Sequence, residues 1–259
     1  MKSIVKPALF IVAATCAGHA FAADSQDEWK FGIGTGISVL DVKGPLGFNS
    51  LLVGPVQVSM NLTPNDINNA AKSAFGFGGF AAKDKWKILY SLKYLELQGD
   101  VNGVTPGGVP ISGRSNFKVS GGDVDGVYEF ARSERAAWGA LGGLRYTKHK
   151  FSNSLTIGAS TRANDFSHSW TDVVIGLTNS FYFSKEWAWN TRVDAGFGGS
   201  NGTYHGNTGV SWKFAESWTT GATIDYTANN FETGTKGNSD WYLYKGREAS
   251  AGINIMYLF

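Results

Sequence analysis

A short turn between a phenylalanine and a tryptophan occurs four times in this chain and limits how the chain can fold. Charged links separate Phe183 from Trp187, Phe80 from Trp86, Phe130 from Trp138, and Phe214 from Trp218. The two members of each pair are symmetric about one central residue. An antiparallel hairpin places such residues opposite each other on one face. The repeat therefore predicts a band of aromatic rings along one end of an antiparallel sheet.

Large apolar residues alternate with small or polar ones from Trp29 to Leu40, and this period of two recurs in about ten stretches of the chain. The alternation fits both a soluble sandwich and a barrel in lipid. Aromatic girdles next to charged turns are typical of transmembrane barrels. We therefore predict an all-β fold over residues 23–259, a single transmembrane antiparallel β-barrel of about ten strands, with eight or twelve left open.

The N-terminal stretch, residues 1–22, has the three parts of a cleaved signal peptide. Lys2 and Lys6 supply positive charge, residues 8–17 form a short apolar run, and Ala20-Phe21-Ala22 fits the cleavage pattern. The run is too short to span a membrane as a helix. We expect export through a signal peptide that is then removed.

Loss of this segment changes what chemistry the mature chain can offer. Cys16 leaves with it, so neither disulfides nor thiol chemistry remain. Removal of Lys2 and Lys6 brings the formal charge from +2 to zero. A neutral chain argues against a nucleic-acid partner, which would require a basic stripe.

Three stretches interrupt the predicted strands. Asp41–Ala71 is predicted to be a long loop, with a helix from Pro64 to Ala71 that Thr63 caps. Gly99–Ser115 and Ser152–Ser169 are expected to be external loops. A conflict arises before the first turn, because Phe75 and Phe77 cannot share a face with Phe80 unless a bulge intervenes.

Ionic side chains occupy the positions that the alternation turns inward. A barrel of about eight strands is filled by its own side chains, whereas wider ones contain channels. Two interpretations therefore remain open, a salt-bridged and filled interior or a narrow polar passage whose lining selects small solutes. The predicted lumen-lining residues are Lys93, Asp123, Asp125, Glu129, Arg145, Asp172, Arg192, Asp194, Asp225 and Glu248.

Catalysis is the least supported interpretation of the sequence. His149 could pair with Asp123 or Asp125. The other two histidines are His205 and His168, and we expect His168 to be solvated in a loop. No G-x-S-x-G or H-E-x-x-H motif accompanies them. We predict no enzyme activity, no cofactor and no metal site.

The C-terminal strand has apolar residues at every second position and ends on an aromatic residue. It resembles the signal that assembly machinery recognises in Gram-negative outer-membrane barrels, carried here by Ile253, Ile255, Tyr257 and Phe259. Residues 170–176 and 194–198, together with Leu144-Arg145-Tyr146, resemble motifs of a Gram-negative outer-membrane β-barrel family with small, porin-like members. The resemblance implies a bacterial outer-membrane location, with membrane lipid and the assembly machinery as partners.

Three functions follow as hypotheses, in decreasing order of support. The first is a structural barrel or a narrow porin-like passage, for which small solutes would be the partners. The second is a surface adhesin or interaction protein that uses residues 41–71. The third is an enzyme that modifies lipid or peptide.

Overall fold

The computed structural model describes residues 10–12, 28–50, 54–104, 110–157 and 160–259. Almost all of them lie in strands, as the alternation predicts. In chain order the elements are β1 (Phe10–Val12), β2 (Lys30–Ser50), β3 (Gly54–Leu62), α1 (Pro64–Ala70), β4 (Ala71–Lys83), β5 (Trp86–Val104), β6 (Pro110–Arg132), β7 (Ala136–Ile157), β8 (Ser160–Tyr182), β9 (Trp187–Phe197), β10 (Thr203–Ala215), β11 (Trp218–Asn229), β12 (Phe231–Thr233), β13 (Tyr242–Tyr244) and β14 (Arg247–Leu258).

Ten of these strands close into an antiparallel barrel, which confirms the predicted fold class and strand number. The ring runs β2-β14-β11-β10-β9-β8-β7-β6-β5-β4 and returns to β2. The first and last barrel strands pair continuously from Gly32–Leu258 to Lys43–Arg247. The pairing of β2 with β4 is much shorter, from Lys30–Ala82 to Gly34–Gly78.

The outer face of the barrel is apolar and the inner face is mostly buried. Trp187, Val193 and Ile255 are 43%, 51% and 43% exposed, so they do not form a dry central core. On β9 the alternate residues Arg192 and Asp194 are buried inside. The exposed residues form a lipid-facing band, as expected for strands with one side in a membrane.

The turn between β8 and β9 has the register that the aromatic repeat predicts. Phe181 pairs with Trp189, and the backbone N–H of Phe183 donates to the carbonyl of Trp187 at 3.0 Å. At two other turns the register shifts by one residue, so that Ala131 lies opposite Trp138 and Ala215 lies opposite Trp218. These irregularities prevent direct opposition of the predicted partners Phe130 and Phe214, whose rings nevertheless remain exposed.

The prediction that Phe80 belongs to the aromatic girdle is wrong. The turn contains only Asp84 and Lys85, so Lys83 pairs with Trp86, and Phe80 lies opposite Leu89. Asp84 adopts a φ of 53°, a left-handed conformation that short polar side chains tolerate. Because the turn is centred between two residues, Phe80 points inward, whereas Phe75 and Phe77 are exposed.

The predicted external loops are shorter than the sequence indicates. β5 and β6 continue into Gly99–Ser115 with 19 and 23 residues, and β7 and β8 continue into Ser152–Ser169 with 22 and 23 residues. A tilted strand needs only about 9–11 residues to cross a membrane. These four strands therefore extend well beyond the lipid-facing band on one side of the barrel.

The predicted loop Asp41–Ala71 is also largely regular structure. It contains the end of β2, the paired strand β3, and α1, whose predicted bounds differ by one residue. Thr63 and Asp66 form a reciprocal capping box, and their hydrogen bonds lower the pKa of Asp66. Ile67 is fully buried, so α1 packs against the protein rather than lying free.

The helix content is small. No helix in the described part of the chain is long and apolar enough to cross a membrane. Of the predicted signal peptide, only Phe10–Val12 lies among the described residues; the cleavage site Ala20-Phe21-Ala22 lies outside them. Cleavage therefore stays a prediction.

We expect Val193→Arg to destabilise the barrel in lipid vesicles by about 2–4 kcal/mol, because it places a cation near the middle of the lipid-facing band. Urea unfolding monitored by tryptophan fluorescence measures the change. Glu216→Arg, in the exposed turn between β10 and β11, is the control and should alter stability by less than about 0.5 kcal/mol. Equal effects of the two variants would contradict the proposed orientation of the wall.

Candidate functional site in the barrel interior

The interior is filled by three layers of side chains, of which the first is an apolar floor near the short turns. Phe80 and Leu89 pack with residues from four other strands. All members are buried, with at most 7% of their surface exposed. Close packing of this kind leaves no room for water between these six side chains. The floor consists of Phe80, Leu89, Val127, Leu141, Val174 and Met256.

The second layer is a network of ion pairs above the floor. Asp194 is its centre, since its carboxylate lies 3.0 Å from Nη2 of Arg145 and 2.6 Å from Nε of Arg192. Each arginine has a second carboxylate partner. Arg145 Nε donates to Asp123 at 2.6 Å, and Arg192 Nη1 donates to Asp125 at 2.8 Å. The network links three strands, β6, β7 and β9, across the lumen.

A histidine extends this network toward β11. Nδ1 of His205 lies 2.8 Å from Asp194, and Nε2 lies 2.7 Å from Asp225. Ionised carboxylates only accept hydrogen bonds, so both ring nitrogens must donate when both carboxylates are charged. In that state neither nitrogen is free to accept a proton from a nucleophile. His205 and its two carboxylate partners therefore suit charge compensation rather than general-base catalysis.

Three more predicted lumen residues lie around this network, and two of them form a looser pair. Nζ of Lys93 is 3.9 Å from Glu248, which also accepts a hydrogen bond from the hydroxyl of Tyr244 at 2.8 Å. Glu129 lies nearer the short turns and accepts a hydrogen bond from Arg132. These residues point inward as the alternation predicts. Lys93 and Glu248 contact each other, whereas Glu129 pairs with Arg132.

Asp172 has a structural role that the sequence does not reveal. It is fully buried and accepts hydrogen bonds from the backbone N–H groups of Gly199 and Ser200 at 3.1 and 2.7 Å. Thr203 donates to its other oxygen at 2.8 Å. Asp172 thus holds the connection between β9 and β10 and is not one of the residues that pair with the arginines.

The third layer is an aromatic roof at the end opposite the short turns. The end of β2 pairs with β13 on one edge and with β3 on the other, and this small sheet lies across the mouth. Phe48 contacts Phe151 and Phe166, which belong to β7 and β8 on the far side of the ring. The roof cluster comprises Leu46, Trp170, Phe231, Tyr242 and Tyr244, with Phe48, Met60 and Phe166 packed against it.

His149 belongs to this roof and not to the ionic network. Its Nδ1 lies 2.7 Å from the hydroxyl of Tyr242, and its ring contacts Phe117, Trp170 and Tyr244. Burial raises the pKa of Tyr242 far above its usual range, so the hydroxyl stays protonated. The suggested pairing of His149 with Asp123 or Asp125 is therefore wrong, because its polar contact is a tyrosine.

The sequence prediction did not include His205 among the lumen-lining residues and missed the whole aromatic roof. His205 could have been recognised, because Thr203, His205 and Asn207 alternate with Tyr204 and Gly206 on β10. The roof could not, because Trp170, Phe231 and Tyr244 are far apart in sequence. Among the described residues, no group of three or more histidine, cysteine, aspartate and glutamate side chains is arranged to hold a metal ion.

A closed antiparallel ring with an apolar outer face and an ionic interior defines a transmembrane β-barrel. Neither protein-family models nor curated protein sequences match the chain. Solved structures do match at low identity. One is the translocator domain of the autotransporter NalP from Neisseria meningitidis, with 12% identity, coverage of 92% of this chain and 90% of that chain, and a TM-score of 0.49.

Two further solved structures cover most of both chains. The transport unit of the autotransporter AIDA-I from Escherichia coli shares 10% identity over 95% of this chain and 94% of that chain, with a TM-score of 0.39. Ail, the attachment invasion locus protein of Yersinia pestis, shares 13% identity over 90% and 99%, with a TM-score of 0.36. Because these TM-scores are below 0.5, the assignment of the fold rests on the strand pairing within this chain.

We expect Asp194→Ala to lower the free energy of unfolding by about 3–5 kcal/mol, because it leaves two buried arginines and a histidine without their shared carboxylate. Denaturant unfolding of the folded protein in detergent measures the loss. Asp100→Ala is the matched control. It removes an exposed pair with Arg114 and should cost less than about 1 kcal/mol. A small effect at Asp194 would show that the network contributes little to stability.

Proposed function

We propose that this protein is a β-barrel of the bacterial outer membrane that acts as a closed, structural barrel rather than an open pore. The apolar wall and the complete ring of paired strands support the membrane assignment. The terminal residues Tyr257 and Phe259, which point outward at the end of the last strand, support delivery by outer-membrane assembly machinery. Membrane lipid is then the main partner of the outer face.

The apolar floor carries the proposal that the barrel is closed. Its six side chains come from six of the ten barrel strands, β4–β8 and β14, and pack into one buried cluster. An ion that crossed this cluster would have to shed its water without a polar replacement from these six side chains, which is strongly unfavourable. The aromatic roof closes the other end. Two closed ends around an internally paired ionic layer favour a filled barrel over a conducting one.

We expect purified, folded wild-type protein to show no stepwise conductance in planar lipid bilayers, because the floor and roof both block the axis. Folding is checked first by the heat-dependent shift in electrophoretic mobility that is typical of folded barrels. A variant that combines Phe80→Ala and Met256→Ala in the floor with Phe48→Ala and Tyr242→Ala in the roof should conduct. Ile255→Ala and Tyr257→Ala, on the lipid face of β14, form the control.

Reproducible steps from the wild-type protein would contradict the closed barrel and favour a narrow passage. That second candidate is supported by a polar internal cavity of about 80 Å³ lined by Arg145, His205 and Asp225, among others. Conductance altered by Arg192→Ala would then show that solutes pass through the ionic layer. The cavity is large enough to hold water.

A surface-interaction role is the third candidate, and the extended strands β5–β8 favour it. These strands extend beyond the lipid-facing band on one side of the barrel. Their paired ends offer a rigid surface to a partner outside the cell. This surface differs from the predicted long loop at residues 41–71. Loss of cell-surface binding after Lys148→Glu and Lys150→Glu, both exposed on β7, would support the role. Unchanged binding would count against this surface.

A further inference from the structure

A second internal cavity, of about 100 Å³, lies between the inner face of β2 and β3 and that of β4, β5 and β6. Unlike the polar cavity, it has walls made mainly of hydrocarbon. Among the described residues that line the upper part of this cavity, away from the ionic layer, none takes part in an ion pair. The apolar walls include Leu40, Val42, Met60, Leu95, Phe117 and Val119.

The lower end of this cavity reaches the ionic layer but presents no excess positive charge. Lys93 and Glu248 both line it and form the 3.9 Å pair, and the hydroxyl of Tyr244 donates to Glu248. Asp225 is already paired with His205. An anionic ligand would therefore meet two carboxylates as well as one ammonium group. The chemistry of the cavity favours an uncharged molecule.

The volume limits the size of that molecule. Apolar protein cavities of roughly 150 Å³ stay dry and take up benzene, and this cavity is somewhat smaller. A single six-membered carbon ring fits with slight movement of flexible neighbours such as Met60. Long acyl chains and fused rings exceed the space.

The barrel wall has its weakest point beside this cavity. Backbone pairing between β2 and β4 ends at Gly34–Gly78, and the hydroxyl of Thr35 then reaches the carbonyl of Gly76 at 2.7 Å. Above this level β1 pairs with residues 36–38 of β2, on the edge opposite β14. β1 belongs to the predicted signal peptide, so its removal would free this edge of β2.

Two stacked rings mark the outer side of the same region. The ring centroids of Phe75 and Tyr94 are 5.1 Å apart, and both residues line the cavity. Phe75 is also 51% exposed on the lipid face. One side chain therefore contacts both the membrane and the cavity, so movement of its ring would connect the two.

We propose that this cavity binds a small, uncharged apolar molecule of about one carbon ring, which enters sideways from the membrane between β2 and β4. Apolar molecules concentrate in lipid, so a side entrance would receive them where they accumulate. The site would not require conduction along the axis. It therefore stands independently of whether the barrel proves closed to ions.

The test uses benzene as the probe and benzoate as its charged analogue, with folded protein in detergent and binding followed by saturation-transfer NMR. Wild-type protein should bind benzene saturably and should not bind benzoate. Val119→Phe fills the cavity and should weaken benzene binding by about tenfold or more. Val124→Phe is the control, because Val124 lies on the same strand but faces lipid; it should bind as the wild type does.

Four outcomes would overturn the site. These are no saturable benzene binding by the wild type, equal binding by Val119→Phe, equal loss in Val124→Phe, or binding of benzoate as strong as that of benzene. If Val119→Phe fails to fold, Leu95→Phe fills the same cavity from β5 and replaces it. Partition into detergent alone would give equal signals from every variant.

The entrance is tested separately through the exchange rate of bound benzene, measured from NMR line shapes. Phe75→Ala should raise the rates of both entry and release of benzene several-fold, because it removes a ring that lies between the cavity and the membrane. Phe77→Ala, which removes a lipid-facing ring two residues away, should leave the rate unchanged. Equal rates in Phe75→Ala and the wild type would overturn the side entrance.

Discussion

The pairing of backbone N–H and C=O groups around a closed ring is the constraint on which this structure depends. Lipid offers no hydrogen bonds, so every strand that crosses it needs a neighbour on both sides. β2 meets this requirement with two different kinds of partner. It pairs with β14 along twelve residues on one edge, whereas its other edge passes from β4 to β1 and then to β3. One edge of β2 is therefore closed by a single long pairing, and the other edge by three shorter pairings with different strands.

The interior separates apolar and ionic side chains by height. Arg145 and Arg192 lie in the middle, where Asp123, Asp125 and Asp194 compensate their charges. Hydrocarbon or aromatic layers cover this network at both ends. Buried charges are costly unless they are paired and hydrogen-bonded. The layered order supplies those partners from strands on several sides of the lumen. It also makes the barrel interior resemble a packed protein core more than a water-filled channel.

Local patterns predicted the wall well, because strand alternation and lipid exposure depend on the nearest neighbours in sequence. The register at Phe183 and Trp187 follows directly from their spacing about Lys185. The same reasoning is wrong for Phe80, because the two-residue turn places the centre of symmetry between Asp84 and Lys85, one and a half residues after the predicted centre at Lys83. Turn type is a local choice that aromatic spacing alone does not determine. The contacts of the aromatic roof depend on ring closure, which brings distant strands together, whereas His205 contacts only the neighbouring strands β9 and β11.

The short seam between β2 and β4 has a mechanical consequence. Only five residue pairs join these strands, and four of the ten positions involved are glycines that contribute no side-chain packing across the joint. Under tension or in denaturant, the barrel should first lose the pairing between β2 and β4, while β2 and β14 stay paired. Amide protons along this line would then exchange with solvent earlier than those elsewhere in the wall.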